Sequence, residues 1–146
     1  GGRVGLMGFS KGGQMVLLAA SRGADVQAVV AYSPPTDLAR WKATTNREET
    51  RQYITLLCEP PPGVAPRSPV TYAAGIAVPV LLMHGDADVN VPLDQSEVME
   101  AAMRAAGRQV ELFVVPGGGH GLQGPAAELA FPVVDAFLAS KLAQED

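Results

Sequence analysis

Arg3-Val4-Gly5-Leu6-Met7-Gly8-Phe9-Ser10-Lys11-Gly12-Gly13-Gln14-Met15-Val16-Leu17-Leu18 is the stretch that decides the fold. Val4, Leu6 and Met7 form a short apolar run ended by Gly8, which suits a buried parallel strand over 3–7. From Gly12 to Ser21 the residues are apolar on nearly every side, which predicts a buried helix closed near Gly23. Between them Gly8 to Gly12 matches G-x-S-x-G. As a bare pattern it is common; between a strand and a helix it describes a turn so tight that Cβ atoms on its glycines would collide, with the serine hydroxyl pushed out at the carboxyl end of the sheet. Serine is also a good helix N-cap. Capping explains Ser10 but not the glycines at 8, 12 and 13 around it.

Outward from this stretch, 26–32 (VQAVVAY), 78–83 (VPVLLM) and 110–115 (VELFVV) read as three more buried strands, with Pro79 tolerable near a strand's start. Pro92 opens a helix on which Val98, Met99, Ala102, Met103 and Ala106 recur at helical spacing up to Gly107. Asp94, Glu97, Glu100 and Arg104 form its solvated face. A last helix is predicted over 126–142, with Leu129, Val133, Val134, Phe137 and Leu138 inward and Pro132 kinking it or delaying its start. Strands and helices alternating at these lengths give an α/β class, a parallel four-stranded sheet flanked by helices. Residues 36–76 break the rhythm with a helix around 46–57 and the turn Glu59-Pro60-Pro61-Pro62-Gly63. They read as an insertion over one end of the sheet, inside a single domain spanning 1–146. Its Trp41, Tyr53, Ile54 and Leu57 either wall an acyl pocket or serve as ordinary core.

Composition narrows the function. The chain is 47% hydrophobic and 18% charged, with a net charge of -4 and no Lys/Arg cluster, which argues against nucleic acid or an anionic membrane as partner. No apolar run reaches the roughly 20 residues that cross a bilayer, and no signal sequence is read at the start. Cys58 is the single cysteine, so the expected setting is reducing and cytoplasmic. The sequence opens on Gly1 rather than Met, and a strand begins almost at once. The expectation is a chain cut from something longer or lacking an N-terminal region.

A serine hydroxyl is a poor nucleophile until a base takes its proton. The chain has two histidines. His120 lies in the Gly-rich loop Pro116-Gly117-Gly118-Gly119-His120-Gly121 after the fourth strand, at the same sheet end as Ser10, and is taken as the base. His84 ends the third strand and is taken as structural. The imidazole needs a carboxylate to fix its tautomer and stabilise its cation. Asp86 and Asp88 are available in the loop 84–92. Asp86 sits close enough to the strand end to cap the turn, whereas Asp88 is far enough out to reach across the top of the sheet, and is preferred. The N–H of Lys11, at the positive end of the helix, is the expected oxyanion donor.

The order Ser, Asp, His on successive strand ends resembles an α/β-hydrolase. The wording is similar to the prolyl-oligopeptidase-type and related esterase branch, in 3–13, in Ser68-Pro69-Val70-Thr71-Tyr72, in the H-G-x-x-D-x-x-V-P run from His84 to Pro92, and in Gly119-His120-Gly121. The resemblance implies that the four strands are the last four of that family's sheet, the carboxyl-terminal half of its catalytic domain, and that its acid falls on Asp88. It implies a carboxylesterase-like serine hydrolase acting on a small acyl ester, with no cofactor and no metal. A peptidase of the same branch is the alternative, and an inactive half-domain needing a partner chain is a third reading. Where the family's elbow often has an aromatic residue, this chain has Lys11. The family's earlier strands, whose loop supplies the second oxyanion N–H, have no counterpart in these residues; one such donor is worth roughly 10²- to 10³-fold in rate. The strand over 3–7 would then be an apolar edge, and the expectation is a homodimer paired through it.

Overall fold

The computed structural model describes residues 2–143; Gly1 and the last three residues lie outside the described residues. Four strands, β1 (Gly5–Phe9), β2 (Ala28–Tyr32), β3 (Val80–Gly85) and β4 (Val110–Val115), lie in the order β1-β2-β3-β4 and are parallel throughout. The register sets Phe9 beside Tyr32 and Gly85 beside Val115, so the three strands that precede Ser10, Asp88 and His120 all end at one edge of the molecule.

Both faces of β2 and β3 are covered, which is why these strands are buried at every position. In β2, Val29 and Ala31 pack with Leu17, Ile76, Met99 and Met103 on one face, and Ala28, Val30 and Tyr32 pack with Ala130, Val134 and Phe137 on the other. This is the period of two expected of a strand. The first face belongs to α1 (Lys11–Ser21) and α4 (Asp94–Ala105), the second to α5 (Pro125–Leu142).

Several boundaries differ from the sequence expectation. β1 runs two residues later than 3–7 and carries through Gly8, because Gly8 and Phe9 still pair with Ala31 and Tyr32. β2 begins at Ala28, and β3 begins after Pro79 and ends at Gly85, since Pro79 has no N–H for the ladder. α1 is not buried on every side, for Met15 is 58% exposed. α4 starts at Asp94, which is ion-paired with Arg40 and therefore not part of the free solvated face. α5 is continuous across Pro132 and starts at Pro125; Leu129 points outward while Ala126 and Ala130 point in.

The segment between β2 and β3 holds more structure than the single helix expected around 46–57. It contains α2 (Leu38–Thr44), α3 (Glu48–Tyr53), a π-type turn over Ile54–Cys58 and two short 3₁₀ pieces, Ala65–Arg67 and Pro69–Gly75. Asp37 caps α2 by accepting from the Arg40 N–H. Leu38, Trp41, Ile54 and Cys58 pack with Val91 of the loop after β3 as a small core at the carboxyl end of the sheet. The Arg67 guanidinium donates to the carbonyls of Cys58, Pro60 and Gly63 and so closes the Pro-rich turn.

Candidate active site

Ser10 occupies the single residue between β1 and α1, and its backbone is bent to suit. Its φ of 52° and ψ of -116° lie in a region that non-glycine residues avoid. The bend is held by the Ser10 N–H donating to the Tyr32 carbonyl at 2.8 Å and by the Gln14 N–H donating to the Ser10 carbonyl at 3.1 Å. The glycines around it have unequal reasons. A Cβ on Gly8 would sit 2.1 Å from the Gly12 carbonyl oxygen, and one on Gly13 would crowd Pro34 and the Tyr32 carbonyl at 3.1 and 3.2 Å. A Cβ on Gly12 would meet nothing within 4 Å, so the expectation of a steric need at that position is corrected.

The Ser10 hydroxyl does not cap α1. It lies 3.0 Å from Nε2 of His120, whose Nδ1 lies 2.8 Å from Oδ2 of Asp88. These three residues, 110 and 32 positions apart along the chain, are brought together by the loops after β1, β3 and β4. Asp86 is not part of this line. It is exposed and accepts from the Gly117 N–H at 2.8 Å, bracing the His120 loop from outside. The Asp88 and His120 loops also touch directly: a Cβ on Gly85 would lie 2.0 Å from the Gly118 carbonyl oxygen, and Ala87 N–H donates to that same oxygen at 2.9 Å.

The Asp88 side chain is fully buried. Oδ1 accepts from the N–H groups of Asn90 and Val91, each at 2.9 Å. Burial by itself pushes the carboxyl pKa up, but the bonds from His84, His120, Val91 and Asn90 outweigh it and bring the value down to about 2. Asp88 is therefore a carboxylate at neutral pH. It suits the task of holding Nδ1–H of His120 and leaving Nε2 as the acceptor toward Ser10, a serine–histidine–carboxylate geometry of the acyl-transfer type.

The Lys11 backbone N–H is the first of α1 and, like the other first-turn donors, has no acceptor within the helix. Its side chain is exposed, with Nζ 3.3 Å from the Tyr53 hydroxyl. A cavity of 340 Å³ opens beside Ser10, lined by Lys11, Pro35, Trp41, Glu49, Thr50 and Tyr53. Of the four insertion residues weighed from sequence, Trp41 belongs to both cavity wall and core, Tyr53 to the wall, Ile54 to the core, and Leu57 is 62% exposed. Sequence reasoning missed Phe9, whose ring centroid lies 5.3 Å from that of His120. Its place directly before the serine is the only signal it carried. Among the described residues no group of three His, Cys, Asp or Glu side chains is placed to hold a metal ion, and no helix is long and apolar enough to cross a membrane.

A model of the prolyl oligopeptidase family matches residues 1–144. A putative carboxymethylenebutenolidase of Methylorubrum extorquens is 30% identical over 118 residues, which cover 81% of this chain and 33% of that protein. Among solved structures, a puromycin-hydrolyzing peptidase of Mycobacterium tuberculosis superposes with a TM-score of 0.83 at 30% identity, over 98% of this chain and 22% of that one. A truncated carbohydrate esterase from gut microbiota gives 0.80 at 25% identity, over 97% of this chain and 60% of that one. The chain thus spans a third or less of the first two relatives and under two thirds of the third.

Proposed function

The chain belongs to the prolyl oligopeptidase family, and on that premise we propose that it is a serine hydrolase cleaving carboxylic esters through an acyl-enzyme on Ser10. The observation that carries the reading is the line from Ser10 Oγ through His120 to Asp88, at 3.0 and 2.8 Å, made by a serine that leaves its own helix uncapped. In this reading Ser10 Oγ attacks the acyl carbonyl while His120 Nε2 takes its proton. Asp88 stabilises the imidazolium, and the Lys11 N–H with the positive end of α1 holds the oxyanion. His120 then protonates the leaving alcohol. Water, activated by the same imidazole, attacks the acyl-enzyme and releases the acid. The cavity between Lys11, Trp41 and Tyr53 is assigned to the acyl group.

Peptide cleavage is the second reading. The family description and the peptidase of Mycobacterium tuberculosis support it, as the carbohydrate esterase supports the first. A third, a half-domain active only with another chain, is supported by the exposed Met7 and Phe9 of β1 and Val4 just before it. A cytoplasmic setting belongs to the same proposal and rests on Cys58, buried and without a disulfide partner among the described residues.

A fluorophosphonate probe tests the reading directly, because labelling needs an activated serine. We expect labelling of the wild-type chain and none of Ser10→Ala, with ester hydrolysis down roughly 10⁴-fold or more in that variant. A panel of p-nitrophenyl esters against a peptide substrate then separates the first two readings. Absence of labelling in the isolated chain that returns on adding another polypeptide selects the third.

A further inference from the structure

His84 is buried to 0% exposure, and both of its ring nitrogens are occupied. Nε2 lies 2.9 Å from the Val91 carbonyl oxygen and Nδ1 lies 2.7 Å from the Ser96 hydroxyl. A carbonyl only accepts, so the ring proton sits on Nε2, and Nδ1 accepts from the Ser96 O–H. Nε2 is also 3.5 Å from Oδ2 of Asp88, the same oxygen that His120 Nδ1 meets at 2.8 Å. Asp88 Oδ2 thus lies between two imidazoles, one at the site and one behind it.

We propose that His84 is a positioning residue for the Asp88–His120 pair, tying down the turn that carries the carboxylate and setting the Nε2–H that it donates to the Val91 carbonyl 3.5 Å from the oxygen that faces His120. The inference rests on the serine-hydrolase reading above. The tie runs through Val91, whose N–H donates to Asp88 Oδ1 and whose carbonyl accepts from His84. Val91 and Asp88 therefore cannot turn independently of the buried ring. Ser96 on α4 holds the ring from its far side, so the carboxylate is referenced to the helix scaffold and not only to its own loop. Among the described residues Asp88 is the only carboxylate within 4 Å of the ring; His120 lies beyond it, and α4 contributes an uncharged hydroxyl. The donors around Asp88, His84 among them, keep it ionised despite burial.

Three variants and a spectrum test this. In His84→Leu the ring and both of its bonds are gone. We expect kcat to fall roughly 10- to 100-fold, the cost of a carboxylate displaced by up to about 1 Å. The acid limb of kcat/KM should move to higher pH, because an anion that has lost a donor attracts the imidazolium more strongly. His84→Gln retains an amide N–H at similar reach and should recover most of the rate and the original limb. Ser96→Ala keeps the ring and its Nε2–H but removes the hydroxyl that holds Nδ1 to α4, and should shift the limb in the same direction as His84→Leu. If His84→Leu does not fold, Ser96→Ala with His84→Gln decides the question. In the wild type, ¹⁵N shifts of the two histidine rings at pH 7 should place the His84 proton on Nε2. A proton on Nδ1, or folded variants that lose stability while the acid limb stays where it was, overturns the proposal. Fluorophosphonate labelling of the wild type is the control. An unlabelled wild type overturns the hydrolase reading and this inference with it, whereas a labelled wild type with unmoved variants overturns this inference alone.

Discussion

Asp88 and Asp86 are two residues apart and have opposite surroundings. Asp88 is buried among four donors, and Asp86 stands in solvent holding one backbone N–H of the neighbouring loop. The sequence preference for Asp88 rested on reach, and the structure places it, and not Asp86, against His120. Asp88→Asn is expected to lower kcat by about 10⁴-fold, since an amide can hold the wrong tautomer of the imidazole. Asp86→Asn should cost far less, and equal losses in a hydrolysis assay would reject the assignment of roles. The depressed pKa also has a sign for stability. A carboxyl that titrates lower in the folded chain than in the unfolded one stabilises the fold above its unfolded value of 3.8, and that contribution is lost as pH falls toward about 2. It amounts to about 2 kcal/mol at neutral pH. Urea unfolding of wild type and Asp88→Asn should therefore show a gap that is constant above pH 5 and closes below pH 4. What could not be seen from sequence at this scale is the ring that lies behind Asp88. His84 read as a structural histidine because nothing in its spacing says that its ring would reach both Val91 and Ser96.

Turns, more than strands or helices, set the position of the reacting groups. Gly8 packs against Gly12 and Gly13, and Gly85 packs against Gly118, with no room for a methyl group at either contact. Gly8→Ala and Gly85→Ala are expected to lower both the unfolding midpoint and kcat, because relief requires the elbow or the His120 loop to move. Gly12→Ala is the contrasting case. Its Cβ would meet nothing within 4 Å, and in a helix an alanine should stabilise the chain by about 0.5–1 kcal/mol, which thermal unfolding can read. The motif as a string treats the two flanking glycines alike; only the backbone separates them. The same distinction explains which elements were legible. β4 begins and ends where its apolar run does, between polar residues and a proline followed by glycines. β1 runs through Gly8 to Phe9, and β3 runs past Met83 into His84 and Gly85, because ladder pairing continues across residues that interrupt or end an apolar run. α2 was missed although Asp37 is a good cap signal, since seven residues are too few for periodicity and Trp41 is stabilised by contacts with the distant Ile54 and Val91.

At the scale of the molecule the sheet has one conspicuous feature, the outer side of β1. Among the described residues β1 pairs only with β2, and its neighbours in space add to an apolar surface: Val4 is 50% exposed, Met7 53%, Phe9 41% and Phe131 58%. A cavity of 360 Å³ opens there, with Met7, Phe9, Leu122, Ala130 and Phe131 in its wall. Sheet edges are normally blunted by charge, proline or a bulge. Arg3 lies near this edge, and its guanidinium is engaged in donating to the Lys141 carbonyl at 3.0 Å. The surface therefore has both the unpaired backbone groups and the apolar side chains that a further strand needs. We propose a second copy of the chain as its cover, with two β1 strands antiparallel across a two-fold axis and their four-stranded sheets joined as one. Light scattering on the purified 146-residue chain is expected to give twice the monomer mass. Met7→Lys, which puts a charge on the exposed face of β1 without touching Ser10, His120 or Asp88, should shift that mass toward the monomer while leaving the circular dichroism unchanged. A wild-type chain that stays folded and monomeric at micromolar concentration rejects pairing through β1 and leaves the edge to be covered by polypeptide of another kind.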